Sequence, residues 1–306
     1  MAKILITPRS LSSPTHPALA LLSGAGHQLV FPSPGKTPTA AELKAALPGV
    51  LGWLAGVEKI TADILAAADQ LRIISRNGIG IDNIDLEAAK ARGIHIANTP
   101  GANSRGVAEL ALGLVFSLAR GIPLADSSIK AGGWERRQGM ELAEKTLGIV
   151  GCGQIGRTLA GMAVGIGMRV LGYDLYPDPG YRLEGFTYVG LEKIQAEADV
   201  ISLHVPGSEQ PLLDRDFIAR LRKGVLLVNT ARASVVDPEA LLAALESGQV
   251  AGYGVDAFTT EPPGKTPLTS HSRVICTSHI GGFTSESVMR AASQASRNIS
   301  EFLAKV

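Results

Sequence analysis

The chain has little cysteine, almost no excess charge and no long apolar run. Two cysteines, Cys152 and Cys276, cannot build a disulfide framework and point to a reducing, cytoplasmic setting. Lys plus Arg number 29 against 28 Asp plus Glu, a formal net charge of +1, so no field selects nucleic acid or an anionic membrane as partner. No apolar stretch reaches the roughly 18 residues that read as a membrane span. The opening Lys3-Ile4-Leu5-Ile6-Thr7 is too short an apolar run for a signal peptide. Internal repeats and low-complexity tracts are also missing. With 45% hydrophobic and 19% charged residues the composition is that of a folded globular chain, and collagen-like, disordered, membrane-spanning and disulfide-scaffold classes are excluded.

What is abundant is glycine, 35 of 306 residues, against a usual ~7%. Such an excess predicts many tight turns and close backbone approaches. At about 150 residues per domain the length predicts two domains. Short apolar runs alternate with helical patterns almost throughout. Lys3 to Thr7, Gln28 to Phe31, Val50 to Leu54, Leu71 to Ser75 and Ile94 to Asn98 read as five buried strands, with a helix capped by Thr61 between the third and fourth. Six more candidates follow: Leu147 to Val150, Met168 to Tyr173, Val200 to His204, Val225 to Asn229, Gly252 to Asp256 and Val274 to Cys276. Buried strands separated by helices require crossovers and hence parallel sheets. The predicted class is α/β, with two doubly wound parallel-sheet domains, one a Rossmann cofactor domain and one flavodoxin-like, and a cleft between them.

Asn98-Thr99-Pro100-Gly101 breaks the pattern, and Ser104 reads as the cap of a helix carrying Val107, Leu110, Ala111, Leu114, Val115 and Leu118 on one stripe. The last helix, with Val288, Ala292, Ala295, Ile299 and Leu303 on one face, has no sheet left in the second domain and is expected to return to the first. The expected division is residues 1–98 with 283–306 as a discontinuous substrate-binding domain, and 99–282 as the cofactor domain.

The chemistry begins at Gly151-Cys152-Gly153-Gln154-Ile155-Gly156, which follows a strand and opens a helix. Asp174 closes the next strand at close to the ~20-residue spacing of a dinucleotide fingerprint. Gly151 permits the tight turn, Gly153 admits a pyrophosphate, and Gly156 lets helix pack on strand, while the helix N-terminus offers free N–H groups. A carboxylate at Asp174 accepts ribose hydroxyls and repels a 2′-phosphate, so NAD is predicted over NADP. Cys152 reads as a small filler.

Arg232, Glu261 and His279 each follow a strand candidate of the same predicted sheet, on the edge that carries the glycine loop. Taken singly, each also reads as a solvated charge or a cap. Together their types suit hydride addition to a 2-oxo acid: a guanidinium for the carboxylate, and an imidazole as proton donor with a carboxylate beside it that favours the imidazolium.

Arg76-Asn77-Gly78-Ile79-Gly80-Ile81-Asp82-Asn83-Ile84-Asp85, Asn98 to Ser104, Gly148 to Gly156, Asn229 to Arg232, Asp256 to Pro262 and His279 to Gly282 together resemble the D-isomer-specific 2-hydroxyacid dehydrogenases, most of all their phosphoglycerate branch. The resemblance extends over nearly the whole chain. It implies an NAD-dependent oxidoreductase with catalytic Arg232, Glu261 and His279, and NAD contacts at Gln154, Ile155, Asp174, His204, Val205, Pro206, Thr230, Ala231 and Asp256. It also implies substrate carboxylate contacts at Asn77 and Gly78, there expected from backbone N–H groups. It implies a small 2-hydroxy or 2-oxo acid substrate, 3-phosphoglycerate leading and hydroxypyruvate or glyoxylate next, no metal, and a homodimer to which the Val107–Leu118 stripe would contribute unless it is simply buried.

Two departures stand out. Ala233 replaces the usual Gly after the arginine, and Ala55 stands where phosphoglycerate enzymes tend to carry an arginine, leaving Lys59, Arg76 or Arg136 to replace it. The chain also ends without the regulatory domain that many phosphoglycerate enzymes carry, so feedback by serine is not expected. A second class, an NAD(H)-sensing corepressor-like interaction protein, shares this fold and can keep the trio; steady-state turnover separates the two.

Overall fold

The computed structural model describes residues 1–305 and divides into two compact units, one of Met1–Asn103 with Gly282–Val306 and one of Ser104–Gly281. The first division falls a few residues beyond the expected one. Thr99 is fully buried and donates its N–H to Gly78 O at 3.0 Å, which keeps the segment after the fifth strand on the first unit.

The first unit holds a five-stranded parallel sheet of β1 (Lys3–Ile6), β2 (Gln28–Val30), β3 (Val50–Ala55), β4 (Ile73–Arg76) and β5 (His95–Ala97) in the order β2-β1-β3-β4-β5. That is the flavodoxin-like order. Its crossover helices are short: α1 (Ala20–Gly24), α2 (Ala40–Ala46), α3 (Ala62–Leu65) and α4 (Leu86–Ala91). Each of the last three has a side-chain cap, from Thr39, Thr61 and Asp85, which satisfies N–H groups that a short helix otherwise leaves open. The final helix of the chain packs against β3 and β4, burying Ala292, Ala295 and Ile299 with Ile4, Ile6, Leu54 and Ile73.

The second unit begins with α5 (Ser104–Arg120) and α6 (Ile122–Lys130). Seven parallel strands follow: β6 (Thr146–Val150), β7 (Arg169–Tyr173), β8 (Phe186–Tyr188), β9 (Val200–Leu203), β10 (Val225–Asn229), β11 (Val250–Val255) and β12 (Val274–Cys276). Their order, β12-β11-β10-β9-β6-β7-β8, places the first strand well inside the sheet, as in a Rossmann sheet with one added edge strand. The crossovers are α7 (Gln154–Gly165), α8 (Leu191–Glu197), α9 (Arg215–Ala219) and α10 (Pro238–Ser247), and α11 (Ser285–Leu303) is the returning helix of the first unit. β6, β9 and β10 are buried along their whole length, because helices cover both faces.

Two expectations are corrected, and one that stood open between two readings is resolved. The second sheet has seven strands rather than six: β8 is short and only half-buried, so it lacks the apolar run by which the others are read. Ser104 lies inside α5 rather than capping it, and its buried hydroxyl has no hydrogen-bond partner. The stripe Val107, Ala111, Leu114, Val115 and Leu118 is core, most of it packed with β6 and β10 residues, and is not a face left for a partner. Among the described residues no single helix is long and apolar enough to cross a membrane.

Candidate active site

The carboxyl ends of β6, β9, β10, β11 and β12 lie along one edge of the second sheet, because all its strands are parallel. Along that edge, β6 runs into Gly151 with φ +97°, a left-handed conformation suited to glycine. A Cβ on Gly151 would stand 2.5 Å from His204 O, and one on Gly156 would stand 2.1 Å from Gly151 O. Both glycines are therefore demanded by packing. Gly153 differs: it is the N-cap of α7, makes no side-chain cap, and has open space where a Cβ would be. Gln154 and Ile155 form the first turn beyond it. Uncapped N–H groups beside open space are what an approaching pyrophosphate requires.

Cys152 fills the turn between the glycines. Its N–H donates to Asp174 Oδ2 at 2.7 Å, and its thiol is pushed up to about 12, first by burial and then by the Asp174 charge. It stays a protonated filler rather than a nucleophile. Asp174 Oδ1 also accepts the Tyr176 N–H at 2.9 Å, which fixes the carboxylate at the end of β7. Nearby Arg157 is engaged by Asp178 at 2.5 Å and lies over the Tyr181 ring.

Next along the edge, His204-Val205-Pro206 leaves β9. His204 Nε2 is 2.9 Å from Ser202 Oγ, while Nδ1 is buried with no hydrogen-bond partner; burial lowers its pKa to about 4, so the ring is neutral. After β10, Thr230 Oγ1 is likewise buried and unpartnered. These two orphaned polar atoms on the edge that carries the glycine turn fit a bound dinucleotide that supplies their partners.

Arg232 is set by a residue that sequence reasoning passed over. Asn229, fully buried at the end of β10, accepts the Ala231 N–H through Oδ1 at 3.0 Å and donates through Nδ2 to Arg232 O at 2.8 Å. An asparagine closing a buried strand is the one signal that could have found it. Arg232 is half-buried and extended, with Nη1 donating to Ala231 O at 2.8 Å. Ala233 follows in a 3-10 turn without a positive φ, so the missing glycine costs nothing here.

His279 is one of two described non-glycine residues with positive φ, at +55°. The residues on either side of it are held by Asp256, which is 2% exposed. Asp256 Oδ1 accepts from Thr277 Oγ1 at 2.6 Å and Ile280 N–H at 2.9 Å, and Oδ2 accepts from Gly281 N–H at 2.8 Å. Asp256 N–H in turn donates to Asn229 O at 3.0 Å, linking the histidine loop to the arginine loop. So placed, His279 Nδ1 lies 2.8 and 2.9 Å from the two carboxylate oxygens of Glu261. Facing a carboxylate, Nδ1 carries hydrogen, and Nε2 is left for a ligand. Glu261 Oε1 also accepts the Phe258 N–H at 3.1 Å. The pair is half-exposed, with side-chain exposures of 53% for His279 and 40% for Glu261, so it is open to solvent.

Asn77 and Gly78 lie in the first unit, after β4. Their expected mode of binding needs correction: Asn77 N–H already donates to Ala55 O at 2.8 Å and Gly78 N–H to Arg76 O at 3.0 Å. The charge at this loop comes from a side chain instead. Arg76 Nη1 donates to Asn77 O, and its guanidinium covers the space a Cβ on Gly78 would fill.

Residues 112–281 match the D-isomer specific 2-hydroxyacid dehydrogenase, NAD binding domain. The chain is 44% identical over 240 residues to a hydroxypyruvate reductase of Thermotoga maritima, covering 76% of this chain and 78% of that one. It is also 44% identical over 241 residues to the D-3-phosphoglycerate dehydrogenase of Homo sapiens, covering 77% of this chain but 45% of the relative, so it spans about half the length of that enzyme. Among solved structures, a protein from Thermus thermophilus superposes with TM-score 0.88 at 33% identity, covering 99% of this chain and 97% of the other. A D-2-hydroxyisocaproate dehydrogenase superposes with TM-score 0.86 at 26% identity, covering 100% and 97%. The chain belongs to the D-isomer-specific 2-hydroxyacid dehydrogenases, an oxidoreductase family whose cofactor is NAD.

Proposed function

We propose that this chain interconverts a D-2-hydroxy acid and its 2-oxo acid, with Arg232, Glu261 and His279 as the catalytic residues. The observation that carries the reading is the His279–Glu261 pair, at 2.8 and 2.9 Å, on a loop clamped by Asp256. The Gly151–Gly156 turn would hold NAD, which when bound would supply or take up the hydride. Arg232 offers a fixed guanidinium to the substrate carboxylate and to the oxygen that gains charge. His279 Nε2 gives that oxygen its proton in reduction and takes it back in oxidation, while Glu261 stabilises the imidazolium. Residues 104–281 are the cofactor-binding domain in this reading, and the first unit supplies the substrate loop, where Arg76 brings a guanidinium beside Asn77 and Gly78.

Arg76 supports an anionic substrate, and 3-phosphoglycerate leads. Buried, uncharged Ala55 at the end of β3 favours a second reading, hydroxypyruvate or glyoxylate, whose distal group needs no cation. Steady-state NADH oxidation with phosphohydroxypyruvate, hydroxypyruvate and glyoxylate tests both. Inertness toward phosphohydroxypyruvate overturns the first, and inertness toward all three overturns the class of substrate.

We also propose a homodimer through the outer face of α5 and α6. α6 buries none of its residues, and Phe116, Ile122 and Ile129, exposed at 39%, 51% and 53%, line one groove along the two helices. Such an apolar patch on one face suits an isologous contact. Light scattering giving the mass of one chain overturns it.

A further inference from the structure

In the first unit one carboxylate is buried. Glu58 lies between exposed Val57 and exposed Lys59, yet is only 4% exposed. No cationic side chain pairs with it among the described residues. Its Oε1 accepts the Gly56 N–H at 2.9 Å and the Thr7 hydroxyl, and its Oε2 is buried without a partner. Thr7 Oγ1 in turn accepts from Trp53 Nε1 at 2.9 Å and from Gly56 N–H at 3.2 Å. The carboxylate thus ties the turn after β3 to the residue that follows β1.

A buried, unpaired carboxylate is a poor way to stabilise a core, since an apolar side chain of similar volume avoids its desolvation. What it does provide is a fixed geometry at one place. The turn it holds is the neighbour of the substrate loop: Ala55 O accepts the Asn77 N–H at 2.8 Å, and Asn83 Nδ2 donates to Glu58 O at 2.7 Å and Gly56 O at 3.3 Å. Gly56 is packed so closely that a Cβ would stand 2.8 Å from Glu58 Oε2 and 3.1 Å from Pro8 Cα. Carboxylate, turn and loop therefore form one connected hydrogen-bonded unit.

We propose that Glu58 is a positioning residue for the 2-oxo acid: through Gly56 and Thr7 it fixes the turn after β3 and, through Ala55, the Arg76–Gly78 loop that receives the substrate's anionic group. This rests on the reading that this loop binds substrate. Glu58→Gln keeps an oxygen to accept from Gly56 and Thr7, whereas Glu58→Leu removes it at similar volume. In steady-state assays with the most active 2-oxo acid, Glu58→Leu is expected to raise KM about tenfold while kcat and the NADH dissociation constant stay within about twofold, and Glu58→Gln to restore KM to within about twofold of the parent. If Glu58→Leu does not fold, Thr7→Val, which removes the bridging hydroxyl, is expected to raise KM about threefold with the same split.

An unchanged KM in the folded variant overturns the proposal. So does a loss of kcat or NADH affinity equal to the rise in KM, and so does Glu58→Gln behaving like Glu58→Leu. Arg76→Met, measured alongside, separates the two layers. If it too leaves KM unchanged, the loop does not receive substrate and the functional reading of the loop fails. If it raises KM while Glu58→Leu does not, only the role of Glu58 fails.

Discussion

Glu261 holds His279 with both of its carboxylate oxygens, at 2.8 and 2.9 Å from Nδ1, across a turn that contains the cis Glu261–Pro262 peptide. The contact sets which ring nitrogen is protonated and gives the imidazolium a counter-charge. Glu261→Gln preserves a hydrogen bond and removes the charge. Its kcat is expected to fall roughly 10- to 100-fold with NADH affinity unchanged, because the two-oxygen contact that orients the imidazole for proton transfer is weakened. Stopped-flow kinetics with fluorescence titration of NADH checks both halves.

Asp256 accepts hydrogen bonds from the histidine loop with both of its oxygens. Asp256→Asn turns one oxygen into a donor that faces an N–H group. The expected cost is about 1–3 kcal/mol of stability, since a buried donor is left unpaired. A loss of turnover of at least about tenfold should accompany it, since misplacing a reacting group is costly. Thermal melts and kcat, measured on the same preparation, test the pair of effects.

His204 makes a prediction about pH. Burial depresses its folded-state pKa to about 4, below the ordinary value of 6.5. The unfolded chain therefore binds a proton in a range where the folded chain does not. The stability associated with the neutral ring is fully present above pH 6.5 and is lost as pH falls toward about 4, by up to about 3 kcal/mol. Chemical denaturation at pH 7 and pH 4.5 should show this slope, and His204→Gln should flatten it. Equal slopes in parent and variant would assign the acid sensitivity elsewhere.

The glycine turn was legible in the sequence because two of its glycines answer local demands, a positive φ at Gly151 and a close approach at Gly156. The shared edge of Arg232, Glu261 and His279 was legible because parallel strands fix where their ends lie. What escaped depends on partners distant in sequence. The Asp256 clamp needs N–H groups 24 and 25 residues away, and no spacing rule reports on them. Glu58 sits beside Val57 and Lys59 in a stretch that reads as solvated, since isolated acids are seldom buried. The Asn77 and Gly78 N–H groups looked available because their acceptors, Ala55 O and Arg76 O, are set by tertiary pairing of β3 with β4 and by a tight turn.

The proton-donor role of His279 stands or falls on the turnover of His279→Asn with NADH and the best 2-oxo acid of the panel. The kcat of this variant is expected to be lower by at least about 100-fold, with NADH binding and the melting temperature unchanged, because the substitution removes the proton donor and leaves the glycine turn intact. Near-parental kcat in a folded, NADH-binding variant would contradict that role.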